Sequence, residues 1–150
     1  MTQRESTMED LDRLYQILEG KAREHDRLVE KFSEIHKATR HLLEFKSGLP
    51  IDIDEECGRE SFGLTFMGYQ FSVSMCYRTD DKGTCAIVSL RSFGNEPEDI
   101  GTPVPGTLIF DNSGRVTTEE GEENESLRYP GPVNRWLTRC LITWCKNIGL

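Results

Sequence analysis

The sequence predicts an α+β fold: a long, coiled-coil-like amino-terminal helix, an antiparallel sheet of about five strands, and a carboxy-terminal amphipathic helix packed on one face of that sheet. Three observations predict it. Residues 8–45 contain no proline and one glycine, and their apolar side chains recur in heptads. From Ser61 onward the apolar period changes from helical to two. After Pro132, Val133, Trp136, Leu137, Cys140, Leu141, Trp144 and Ile148 fall on one helical face.

In the first element the a positions are Leu11, Leu18, His25, Phe32 and Thr39, and the d positions are Leu14, Lys21, Leu28, Ile35 and Leu42. Tyr15, Ala22, Val29 and Leu43 add a third column, which makes the stripe broader than the seam of a two-stranded coiled coil. A helix of this span is about 57 Å long at ~1.5 Å per residue, more than the diameter of a small domain, so one end overhangs the body. The economical cover for an overhanging stripe is the same helix of a second copy. Leu11, Leu14, Leu18, Leu28, Phe32, Ile35 and Leu42 are therefore the candidate dimerisation residues. The competing arrangement is a helical hairpin broken at Gly20, but Glu19, Lys21, Ala22 and Arg23 offer no turn chemistry, and glycine costs only about 1 kcal/mol inside a helix.

Gly48 and Pro50 end the helix and divide the chain into residues 1–47, the dimerisation element, and residues 48–150, an acidic α+β domain. Phe62, Leu64 and Phe66 alternate with Gly63, Thr65 and Met67, and Tyr69, Phe71, Val73, Met75 and Tyr77 alternate with small polar residues. A turn at Met67-Gly68 sets Phe66 opposite Tyr69, Leu64 opposite Phe71 and Phe62 opposite Val73, so one register collects every large residue on one face. A third strand at 84–92 then pairs Tyr77 with Ala86, Met75 with Val88 and Val73 with Leu90. The opposite face carries Gly63, Thr65, Ser72, Ser74, Cys76 and Ser89, either an ordinary solvated surface or one that another backbone can approach closely. Residues 93–106, rich in glycine and proline, read as a connection without a phosphate-binding pattern. Residues 107–110 and 115–118 form a hairpin about Asn112-Ser113-Gly114. Pro132 then opens the last helix, whose two tryptophans make it the lid of the aromatic face.

The charge of −8 is unevenly placed: residues 1–50 carry nine basic and ten acidic groups, residues 51–150 nine basic and sixteen acidic. That excludes the basic stripe a phosphate backbone requires, so direct nucleic-acid binding is not expected. Nothing resembles a signal peptide or a membrane span, and five cysteines without CxxC spacing read as reduced thiols, which together suggest a cytoplasmic protein. The Asn124-Glu125-Ser126 sequon is then a chance match. Asp52, Asp54 and Glu56 alternate like the start of a calcium loop, but Cys57 and Gly63 stand where that loop needs glycine and glutamate. His25, His36 and His41 all lie on the long helix and share no ligating or nucleophile-activating motif with a cysteine or serine.

No catalytic residue, metal ligand or cofactor site is therefore expected, and the chain reads as a non-enzymatic interaction module. The expected function is that of a homodimeric inhibitor or adaptor presenting an acidic surface to a basic protein partner, such as a nucleic-acid-binding protein. Asp52, Asp54, Glu55 and Glu56, with Glu119, Glu120, Glu122, Glu123 and Glu125, are its candidate residues. The competing reading is a small-ligand binder with a cavity between the sheet and the last helix.

Overall fold

The structure, a computed structural model, describes residues 3–45, 48–80, 83–94, 100–118 and 125–150; the side chains of 3–6, 43–45, 80 and 118 are not described. Helix α1 (Gln3–Phe45) runs through Gly20 without a break. Seven strands follow: β1 (Ile51–Ile53), β2 (Ser61–Phe66), β3 (Tyr69–Asp80), β4 (Gly83–Phe93), β5 (Thr102–Asp111), β6 (Arg115–Thr118) and β7 (Glu125–Ser126). Helix α2 (Gly131–Asn147) closes the order. The strands form one antiparallel sheet in sequence order, a meander with no crossover.

The hairpin registers follow from the period-two pattern. Phe66 pairs Tyr69, Leu64 pairs Phe71 and Phe62 pairs Val73, then Val73 pairs Leu90, Met75 pairs Val88 and Tyr77 pairs Ala86. Phe110 pairs Val116 in the later hairpin. Met67 and Gly68 both take positive φ, 51° and 83°, the left-handed pair a two-residue hairpin turn requires. Thr84, Ala86, Val88 and Leu90 are buried on one face while Cys85, Ile87, Ser89 and Arg91 are half-buried on the other. Both helices cover the first face: Leu28, Phe32, Ile35 and Ala38 from α1 and Val133, Trp136, Leu137, Cys140, Leu141 and Trp144 from α2 join the strand residues in one core.

The sheet has seven strands rather than five. The two extra ones, β1 and β7, are edge strands of three and two residues, too short to display an alternation. β5 also begins earlier than the pattern suggests, with Pro103 opposite Arg91. Proline is tolerated there because β6 pairs only with residues 108–110, which leaves the first half of β5 open on that side. Between the pairs Ser89–Thr107 and Leu90–Val104, Pro105 and Gly106 form a bulge. Gly106 has φ 110°, and a Cβ there would meet the Cys140 sulfur at 3.2 Å, so glycine lets α2 come down onto the bulge. Trp136 Nε1 donates to the Gly106 carbonyl at 3.4 Å.

Trp136 and Trp144 are core residues, each 6% exposed. Trp144 stands edge-on to Phe66, Tyr69 and Phe71 with ring centroids 6.1, 4.9 and 4.9 Å away, and so joins α2 to the β2–β3 hairpin. Ile148 departs from the expected face: α2 ends at Asn147, and Ile148, at its C-cap, is exposed.

Candidate interaction surfaces

Helix α1 is two different helices in its surroundings. Leu28, Phe32 and Ile35 are 0% exposed, with Phe32 tilted against Phe62 at 5.6 Å. These three are not dimerisation residues, because the stripe they continue is covered here by the chain's own sheet. Leu42 is likewise partly buried against the core. Every residue from 7 to 19 is exposed. Met8, Leu11, Leu14, Tyr15, Ile17 and Leu18 present 49–64% of their surface to solvent. Of the expected seam, Leu11, Leu14 and Leu18 remain, joined by Met8 and Tyr15 of the third column and by Ile17, which stands outside the three.

The point where α1 leaves the body is fixed by polar contacts. Glu24 Oε2 accepts from Thr84 Oγ1 at 2.6 Å and from Tyr77 Oη at 3.1 Å. The hydrogen bond from Thr84, reinforced by Tyr77 and Lys21 against the opposing effect of burial, holds the Glu24 carboxyl below the usual carboxylate range. His25 reaches Glu60 at 2.8 Å and stands edge-on to Tyr77 at 5.8 Å. Farther along, Asp26 pairs with Arg59 at 2.7 Å, and Arg40 donates to the Glu55 carbonyl at 3.3 Å. Buried His36 sets Nε2 2.6 Å from the Asp54 carbonyl oxygen, with its ring edge-on to Phe62. The segment from Asp54 to Glu60 is thus tied along α1. These contacts occupy two of the three histidines in holding the fold together.

The acidic candidates divide too. Asp52, Glu55 and Glu56 are exposed on β1 and the segment after it. Asp54 is exposed too, but its carboxylate is held by the neighbouring strand, accepting from Gly63 N at 2.9 Å, and a Cβ at residue 63 would lie 2.7 Å from that oxygen. Glu125 pairs with Val116 in the sheet and with Arg135 through its side chain, so it is not free for a partner. Glu119, Glu120, Glu122 and Glu123 lie outside the described residues.

Where the competing reading puts a cavity, Trp144 packs on the sheet. Toward the β1 edge an apolar hollow of about 290 Å³ opens between the sheet and α2, lined by Ile51 and Phe66 from the strands, Leu141, Ile142 and Cys145 from α2, and Leu42 from α1. Among the described residues no helix lies on the small-residue face of the sheet, and Cys76, Ile87 and Ile109 align across its centre. Among the described residues, no three histidine, cysteine, aspartate or glutamate side chains converge in a way that would hold a metal ion, and no helix is long and apolar enough to cross a membrane. Burial pushes the Cys57 thiol up, away from the reactive thiolate form.

Comparison of the chain with protein-family models, curated proteins and solved structures found no match. The functional reading therefore rests on the surfaces alone.

Proposed function

We propose that this protein is a non-enzymatic interaction module, a homodimer joined through the exposed half of α1, which acts as an inhibitor or adaptor by presenting an acidic ridge to a basic protein partner. The observation that carries the reading is the exposed row from Met8 to Leu18. A free helix of about 12–15 residues is marginal in water, and burying the exposed half of each large apolar side chain is worth roughly 1 kcal/mol, so the overhang gains both order and solvation energy from a cover. Asp52, Glu55 and Glu56 supply the ridge, well away from that row in the chain. Exposed charges of one sign raise the encounter rate with a partner of the other sign and are screened over about 8 Å at physiological ionic strength.

Light scattering tests the reading. The wild-type chain should weigh as a dimer at micromolar concentration, and Leu14→Glu with Leu18→Glu should weigh as a folded monomer. A wild-type monomer at that concentration ends the proposal. A second reading, a binder of small apolar ligands, is favoured by the hollow beside β1 alone; its volume sits at the lower end of the ~300–1,000 Å³ usual for ligand sites. An apolar fluorescent probe that binds the wild type and is lost on Leu141→Arg would support that alternative.

A further inference from the structure

We infer that the two copies pair their α1 helices antiparallel, with the sheets at opposite ends of the pair; this rests on the self-association just proposed. The heptad line through Leu11, Leu14, Leu18, Lys21, His25, Leu28, Phe32 and Ile35 is one continuous side of the helix. Its first part is open. At His25 the line meets Tyr77, and from Leu28 it is sealed by the chain's own core. A parallel copy runs its own buried half, sheet attached, along this same side, so each body fills the space the other needs. An antiparallel copy lays its overhang on the overhang opposite and carries its body away from that space.

Charge points the same way. Glu9, Asp10 and Asp12 lie near the start of the overhang with no basic residue among residues 8–12, whereas Lys21 and Arg23 follow its end with no acidic residue between them. All five side chains are exposed. Antiparallel overlap about residues 16–17 sets Asp10 level with Arg23 and Asp12 level with Lys21, each twice per dimer, against one like-charge pairing of Glu9 with Glu24. Parallel overlap stacks acid on acid and base on base. The helix dipoles also favour the antiparallel pairing. Twelve half-exposed large apolar side chains, at roughly 100 Å² apiece, bring the contact to the lower end of the ~1,200–2,000 Å² that stable interfaces bury.

Small-angle scattering and a charge exchange test the orientation. At a concentration where light scattering gives a dimer, the wild type should show a two-lobed pair-distance distribution, one lobe for distances within a body and one for distances between the two. A single compact lobe overturns the antiparallel arrangement, while a monomeric mass overturns the self-association beneath it. Asp10→Lys with Asp12→Lys should weaken the dimer about tenfold at low salt, and adding Lys21→Glu and Arg23→Glu to that same chain should restore it. A parallel dimer keeps like charges opposed in every one of these chains. Unchanged affinity on the first exchange, or failure of the second to restore it, therefore contradicts the inference. Every substituted residue is exposed; Lys21 also pairs with Glu24 at 3.6 Å, so Lys21→Glu with Arg23→Glu is made alone as a control, and the far-ultraviolet circular dichroism of each variant reports that the fold is intact.

Discussion

The two halves of α1 carry the same kind of apolar stripe and have opposite surroundings. In the second half Leu28, Phe32 and Ile35 are wholly buried; in the first, Leu11, Leu14 and Leu18 expose about half of their surface or more. The composition of the stripe does not separate them. What does is whether the sheet reaches that far, and it stops where Tyr77 and Thr84 hold Glu24. The same apolar heptad therefore serves a face that the chain's own sheet covers and a face that it leaves open, and the extent of the sheet decides which.

The largest effect that sharpens the contrast is a truncation in each half. Phe32→Ala should cost about 3–5 kcal/mol in urea unfolding, as a fully buried aromatic does. Leu14→Ala should stay within about 0.5 kcal/mol at concentrations where the chain is monomeric, because its side chain touches little. Equal costs would erase the division.

Smaller, and set at the boundary itself, is the effect of acid on Glu24. Its carboxyl titrates below the usual range when folded, so its contribution to stability is fully present above the unfolded-state value and is lost as pH falls through the folded one. Glu24→Gln should remove this part of the acid sensitivity, seen as a flatter fall in stability across that window in unfolding curves taken at a series of pH values. An acid limb identical to wild type would mean that the contact does not fix the helix exit.

Two substitutions should stabilise by less than about 1 kcal/mol. Gly20 has nothing within 4 Å of a built Cβ, so Gly20→Ala should add about 0.5–1 kcal/mol from helix propensity and stiffen the join between the halves. Met67 sits at φ 51° in an exposed turn, and Met67→Asn should gain a few tenths of a kcal/mol because asparagine tolerates that conformation. Thermal unfolding measures both; a loss at residue 20 would point to a neighbour close to that side of the helix.

Much of the sheet was legible in the sequence because strand period and turn chemistry agree there. The Met67-Gly68 turn and the alternating aromatics leave one register that gathers the large side chains on one face, and the structure has that register. The edge strands were not legible. Ile51 and Ile53 flank a single aspartate, which reads as part of an acidic linker, and β7 has only two residues. The start of β5 was hidden by Pro103, Pro105 and Gly106, residues that signal a loop unless the open edge of a strand can be foreseen. Of the candidate surfaces, the stripe was visible and its division was not, since core packing and dimerisation ask for the same side chains. Asp54 and Glu125 show a similar limit for charge: a carboxylate in an acidic run looks solvent-bound until a partner such as Gly63 N or Arg135 is placed beside it.

Amide hydrogen exchange across α1, followed as a function of protein concentration, tests the central claim most directly. Amides of residues 28–42 should be protected equally at every concentration, because their cover is the chain's own sheet. Amides of residues 8–19 should exchange quickly in dilute protein and gain protection as concentration rises into the micromolar range, because their cover is a second copy. Protection of residues 8–19 that does not change with concentration, whether uniformly high or uniformly absent, would contradict the account.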